Sequence, residues 1–301
     1  MTQERTGVLF GLAAAAGWGL FPILVQRGTQ TIPPVTFAAL STLVSVATFV
    51  CYSTVRASWN ELRDRRVYFP ILMIALCIIV IPYTLFFVGA SITSGVNAAI
   101  LLLSEIIFSL IFTHFIGEHT TTTKLIGGGG VFLGAACILY NGSLSFHLGD
   151  ILILCSTITY PLGNFYSKKA LHLVSPDTIL FLRASIGAIF LLLFARLVEP
   201  GVAMFQTFLA AWPVIVANGL LVLGLTKIFA YQSLKRLDIS KFISIGATAT
   251  FFSLIILILF FKEPMSVYQW IGIVFMTIGV YYSIKRKSVN ATDTKYAHTH
   301  L

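Results

Sequence analysis

The sequence predicts an all-α polytopic membrane protein, with ten transmembrane helices in two inverted five-helix repeats. Three observations carry that expectation: too few charges for a water-facing surface, ten apolar stretches of roughly membrane-crossing length, and a long internal repetition. Hydrophobic residues fill 57% of the 301 positions and charged residues only 10%, with a mean hydropathy of +0.91. A soluble domain carries about 25% charged residues, so water is the wrong solvent for most of this chain.

A helix needs about 20 apolar residues to cross about 30 Å of hydrocarbon. Stretches near 8–28, 34–54, 68–88, 94–116, 123–141, 150–168, 176–196, 207–231, 240–261 and 267–284 approach that requirement. The first follows a polar start holding both Glu4 and Arg5 and precedes further spans, so it reads as an uncleaved helix. Pro34, Pro176 and Pro264 stand where helices begin, at positions whose N–H would have no intrahelical partner. The fourth and fifth spans part at Gly117 to Thr123. Connections this short favour antiparallel neighbours.

Charge orients the spans. With the N-terminus in the cytoplasm, fifteen basic residues fall in cytoplasmic segments, while the external segments hold only Arg27, Arg196 and Lys262. That is the bias of the positive-inside rule. An even number of spans then puts both termini in the cytoplasm, in a multi-pass protein of the plasma membrane (the inner membrane of a bacterium). The net charge of +9 belongs to these loops, so the lipid bilayer and not nucleic acid is the expected partner. Cys51, Cys77, Cys137 and Cys155 fall within or beside apolar runs without metal-ligand spacing and read as small buried hydrophobes.

Glu118, Gly127 and Gly134 recur as Glu263, Gly272 and Gly279 at a constant offset of 145. Gly7, Trp18, Pro34 and Thr36 correspond at an offset of 142 to Gly149, Tyr160, Pro176 and Thr178. A fixed long offset marks a repeated structural unit. Five passes are an odd number, so the second unit enters the membrane from the other side. The units are residues 1–144 and 145–287, followed by a flexible polar cytoplasmic tail, 288–301.

The sequence GWG at 17–19, the paired unit ends just named, and GDILILCSTITYPLGNFYSKK at 149–169 give the chain a resemblance to the drug/metabolite transporter superfamily, in its EamA-type ten-helix branch. The resemblance covers Gly7 to about Tyr282. It implies an exporter or exchanger of small metabolites with a central cavity between the repeats and both termini cytoplasmic. Family members commonly carry Glu-Pro in the fourth span; here Glu105 is followed by Ile106, and the ninth-span proline position holds Phe251. The arginine frequent in the second and seventh spans is present as Arg183, while its partner position is Ser41.

Glu105 is the sharpest candidate for a substrate contact. A carboxylate at mid-membrane costs several kcal/mol unless paired or hydrated, so it is either a satisfied interhelical contact or a protonatable group lining the cavity. Arg183 has three readings: partner of Glu105, ligand of a substrate carboxylate, or a side chain snorkelling to the interface. Lys227, nearer the cytoplasmic end of the eighth span, reads as snorkelling, and His114 as interfacial. Trp18 and Tyr160 are repeat equivalents and should face the pseudo-twofold axis. Tyr83 follows Pro82 in the third span. Asn97, Asn164 and Asn218 need partners, because an amide in hydrocarbon is costly. The expected substrate contacts are thus Trp18, Tyr83, Asn97, Glu105, Tyr160, Asn164 and Arg183. The glycines at 127–130, 134, 272 and 279 read as close-packing positions, and the GGGG run lacks the pattern of a phosphate loop.

These features favour a secondary transporter of a small organic metabolite (an amino acid or drug-like compound), exporting by alternating access, with proton coupling through Glu105 as one option. A nucleotide-sugar or sugar-phosphate exchanger, or a sugar uptake carrier, is the alternative; such a phosphate carrier calls for more cavity cations than Arg183 and Lys227. A membrane-embedded enzyme is remote, since no HExxH or clustered acids occur. No cofactor or metal is expected, and the chain reads as a monomer or weak homodimer.

Overall fold

In the computed structural model every element among the described residues, 3–56, 58–115, 122–140, 147–237 and 239–284, is helical. Seven helices are long and apolar enough to cross a membrane: Gln3–Gly28, Pro34–Arg56, Arg65–Ser91, Gly95–Phe112, Pro176–Val198, Met204–Arg236 and Lys241–Phe261. The other three expected passes are helical as well. Thr122–Tyr140 and Val267–Ile284 are the fifth and tenth. The sixth is split into Leu148–Ser156 and Tyr160–Ala170, so neither piece alone has crossing length. Large apolar side chains such as Leu193, Leu197, Phe205, Leu259 and Phe260 are exposed on the outside, the arrangement expected of a bundle solvated by lipid. Glu118 and the tail after Ile284 lie outside the described residues, as does the side chain of His114.

The chain alternates between two faces. One, here the N-terminal face, carries the start of the first span and the connections near 58–64, 171–175 and 237. The opposite face carries those near 29–33, 92–94, 199–203 and 262–266. Helix pairing follows the sequence repetition. Pro34–Arg56 packs on Pro176–Val198, Thr122–Tyr140 on Val267–Ile284, and Gly95–Leu101 on Thr248–Phe261. Gln3–Trp18 packs on Thr226–Arg236, as Leu148–Ser156 does on Ile81–Ser91. At the fifth–tenth contact a Cβ on Gly134 would lie 2.5 Å from the Gly272 carbonyl oxygen, and one on Gly279 2.6 Å from that of Gly127. These glycines let two backbones touch, as small residues do in membranes. Gly129 differs from the expectation, with open space where its Cβ would be.

Six spans are interrupted. Prolines account for the first and sixth breaks: Pro22 and Pro161 sit in the opening turns of Phe21–Gly28 and Tyr160–Ala170, where the missing N–H costs nothing. The third and eighth spans widen into π-helical segments, Ala75–Val80 and Ala217–Leu225. Pro82 follows the first and Pro213 precedes the second, each removing one rung of the helical ladder. The fourth span tightens to a 3₁₀ turn at Leu102–Ser104, and the ninth breaks at Ala247 between Ile239–Gly246 and Thr248–Phe261, both without proline.

A carbonyl freed in hydrocarbon costs several kcal/mol unless another donor reaches it. Hydroxyls supply those donors. Ser253 Oγ donates to Gly19 O at 2.6 Å, Thr159 Oγ1 to Cys77 O at 2.8 Å and Thr250 Oγ1 to Ala99 O at 3.1 Å. Thr250 takes up a carbonyl that an unbroken fourth span would give to residue 103, which explains how the bend forms without the expected proline.

Candidate functional site

The breaks converge on one central cavity of about 130 Å³. The first span contributes Trp18, at the end of its first helix, and the fourth contributes Glu105, the first residue after the 3₁₀ turn. Tyr160 and Asn164 come from the helix after the sixth-span break, Arg183 from the unbroken seventh, and Lys227 and Tyr231 from the helix after the π-helical segment. From mid-depth the lining continues along Leu234, Phe242 and Ile243 towards the N-terminal face.

Within the cavity Asn164 Nδ2 donates to Glu105 Oε1 at 2.9 Å, which supplies the polar contact a carboxylate at this depth requires. Lys227 Nζ lies 3.1 Å from the Trp18 ring centroid, and the Arg183 guanidinium carbon 4.9 Å from that of Tyr231. Trp18 stacks on Phe21 with ring centroids 4.2 Å apart and planes 11° apart. The Tyr231 hydroxyl is 2.8 Å from Ser167 Oγ. Arg183 Nε and the Tyr160 hydroxyl are buried without a hydrogen-bond partner among the described residues.

Five of the seven expected contacts therefore meet here: Trp18, Glu105, Tyr160, Asn164 and Arg183. Tyr83 does not line the cavity; it is 2% exposed and packs behind it against Phe21 and Phe87. Asn97 lies elsewhere, in a polar cluster towards the opposite face. Two snorkelling readings also change. Lys227 turns inward to Trp18, because an aromatic face offers a cation an attractive site inside the bundle. Arg183 is 2% exposed and folds over Tyr231, without a carboxylate in ion-pairing range among the described residues. Tyr231 was not foreseen, because in an apolar run a cavity tyrosine reads like any other aromatic.

The opposite side of the bundle is closed by polar contacts. Asp150, 1% exposed, accepts from Thr93 Oγ1 at 2.5 Å and, through both oxygens, from Asn97 Nδ2 at 3.1 Å. Gln269 Nε2 donates to Asn97 Oδ1 at 2.7 Å. Nearby, Arg27 pairs with Glu263 at 3.1 Å and lies over the Phe261 ring. The network ties the third–fourth connection to the sixth and tenth spans, and the ion pair ties the first to the ninth–tenth connection. A second, more open pocket between these groups is lined by Gln26, Asn97, His147 and Glu263. Among the described residues no three metal-ligating side chains come together.

The sequence profile of the EamA-like transporter family matches residues 5–140 and 147–284. Uncharacterized transporter YvbV of Bacillus subtilis is 27% identical over 197 residues, which are 64% of this chain and 63% of the relative. Uncharacterized transporter YyaM of the same organism is 24% identical over 208 residues, 65% of this chain and 66% of that one. The matches thus span just under two thirds of these relatives. A solved crystal structure covers 92% of this chain and 96% of its own with a TM-score of 0.69 at 17% identity, a likeness of fold. The profile accounts for both halves of the chain, the helices account for repeated membrane passage, and the protein is a multi-pass membrane protein that belongs to the EamA-like transporter family.

Proposed function

We propose that the protein is a secondary transporter that moves a small organic metabolite, of the size of an amino acid or a compact drug-like compound, across the plasma membrane. The observation that carries this reading is a central cavity at the meeting point of interrupted helices, reaching towards one face and closed towards the other. Interrupted helices at mid-membrane are the usual framework of alternating-access sites. The basic residues concentrate on the N-terminal face, which the positive-inside rule assigns to the cytoplasm. The conformation is then inward-facing, the state in which an exporter would load its substrate from the cytoplasm, and export is the direction we propose. Opening the other way requires the Asp150–Asn97–Gln269 network and the Arg27–Glu263 pair to separate. The mirrored helix pairing supports two inverted units, 1–144 and 145–287, rocking about the cavity.

Glu105 is the group assigned to proton exchange in this scheme: charged it holds Asn164 strongly, and neutral it accepts from Asn164 more weakly. Purified protein in liposomes, offered labelled metabolites with and without a pH gradient, tests the reading. Accumulation of a solute driven by the gradient is expected, with Glu105→Gln abolishing the pH dependence while the protein still inserts. PH-dependent transport surviving in that variant removes Glu105 from the coupling role.

A further inference from the structure

We infer that the central cavity is a site for a small organic anion, a monocarboxylate of about the size of benzoate, with Arg183 as the residue that selects its charge and Lys227 as a second contact. This rests on the transporter reading above and names the charge class of its substrate.

The first argument is charge balance. Glu105, Lys227 and Arg183 are the ionisable acid and bases that line the cavity. Glu105 and Lys227 cancel whether both are charged or a proton has passed from one to the other. A guanidinium stays charged in either case, so the wall keeps one positive charge without a counterion. Asp177, six residues earlier on the same helix as Arg183, forms no ion pair with it among the described residues.

The second argument is unmet hydrogen bonding. Arg183 and Tyr160 both line the cavity, and Arg183 Nε and the Tyr160 hydroxyl are both buried without a partner among the described residues, within reach of a small rearrangement of their side chains towards a bound anion. Buried donors left unpaired are destabilising, and a carboxylate accepts from both kinds of donor. A guanidinium is well shaped for that planar group.

The third argument excludes cations. An organic cation would be drawn to an aromatic face, yet the cavity's own cations occupy two of them. Lys227 lies over Trp18, whose ring stacks on Phe21, and Arg183 lies over Tyr231. A cationic solute would have to displace Lys227 and approach Arg183 at once. The volume sets the size: about 130 Å³ compares with cavities of about 150 Å³ that admit benzene.

Benzoate, benzamide and benzamidine share one shape and differ in charge, and phenylglycine adds a zwitterion of similar size. Calorimetric titration of the purified protein with each is expected to show benzoate binding at least tenfold more tightly than benzamide, with benzamidine below detection and phenylglycine weaker than benzoate. Arg183→Gln should erase the preference for benzoate over benzamide, and Arg183→Lys should restore part of it. Benzamidine or phenylglycine binding as tightly as benzoate, absence of binding by all four, or an unchanged preference in Arg183→Gln overturns the assignment. The unmodified protein alone decides the first two of those outcomes, whatever the variants do to folding. Benzoate that binds but never crosses the liposome membrane sinks the transporter reading and leaves the charge class standing. Benzamidine carried as fast as benzoate does the reverse.

Discussion

The two halves of the chain share a skeleton and differ in chemistry. At an offset of 142 the π-helical segment beginning at Ala75 corresponds to the one beginning at Ala217, and at 145 the turn at Leu102–Ser104 corresponds to the break at Ala247. Corresponding cavity side chains are unlike: Arg183 against Ser41, Lys227 against Leu85, Glu105 against Thr250 and Asn164 against Pro22. Backbone breaks are a requirement of the architecture, and both halves meet it. The ionisable groups need appear only once if, as proposed, a single solute binds between the halves.

The strongest way to break the shared skeleton is to separate the backbones of the fifth and tenth spans. Gly134→Leu places a side chain where even a Cβ would be 2.5 Å from the Gly272 carbonyl, and backbone cannot yield as a flexible side chain can. Overpacking of this kind costs about 3 kcal/mol, enough to remove most folded protein from a detergent extract. Gly129→Ala, turned about 100° around the helix from Gly130 and facing open space, should be within about 0.5 kcal/mol of the unmodified protein. Thermal unfolding in detergent separates the two, and equal losses would show that glycine content and not backbone approach matters.

Next in size is the chemistry that one half lacks. Asp150 holds Thr93 and Asn97, and its repeat counterpart is Val8. Asp150→Ala leaves buried donors unpaired and is expected to cost about 3 kcal/mol. It should also speed labelling from outside of a cysteine placed at Ser94, since the closed face loses its central acceptor. Val8→Ala should cost under about 1 kcal/mol. Unchanged labelling in Asp150→Ala would mean that the network merely fills space.

These contrasts mark what the residues disclosed in advance. The glycine contacts were legible as small residues at fixed spacing, while Pro22 and Pro161, prolines inside apolar runs, carry a signal for the first and sixth breaks that the expected spans did not use. Trp18, Glu105 and Arg183 stand out because a large polar or charged group in hydrocarbon must face something. The bend before Glu105 was hidden, since it depends on a hydroxyl from the ninth span, 151 positions away. Asp150 was hidden at the edge of its span, where an acid passes for an interfacial residue. Lys227 looked like a snorkelling lysine because its direction is set by Trp18, a partner that only the tertiary fold provides.

A smaller effect tests how closely the skeleton is mirrored. At the start of the second span the Glu199 carboxylate accepts from the backbone N–H of Val35 and Thr36 and from Thr36 Oγ1, at 3.0, 2.8 and 2.6 Å. At the start of the seventh, Glu61 Oε2 accepts from Ser175 N, Ser175 Oγ and Thr178 Oγ1 at 2.7, 2.6 and 2.7 Å. Each carboxylate caps the helix that packs against its own span, and an anion is favoured at a helix N-terminus. Glu61→Gln and Glu199→Gln should each cost about 1 to 2 kcal/mol in thermal unfolding. Losses that differ by more than about 1 kcal/mol would show that the two caps are similar in geometry only.

The smallest expected effect lies where the halves diverge in length. The connection after the second span is long and charged, while the one after the seventh is short, at 199–203. In the longer one Asp64 accepts from the Arg66 backbone N–H at 3.0 Å and pairs with its Nε at 3.1 Å, capping the turn Arg65–Val67. The backbone hydrogen bond, followed by the side-chain one, holds the Asp64 carboxyl below its ordinary value of 3.8. The folded chain therefore binds this proton more weakly than the unfolded chain. Its contribution is fully present above the unfolded value and is lost as pH falls through the lower, folded one. Asp64 is half-buried but its partner Arg66 is exposed, so solvent and salt screen the pair. Asp64→Asn should leave thermal unfolding at neutral pH within experimental scatter and change only the response below about pH 4. A clear loss at pH 7 would mean that this surface turn helps hold the second and third spans together.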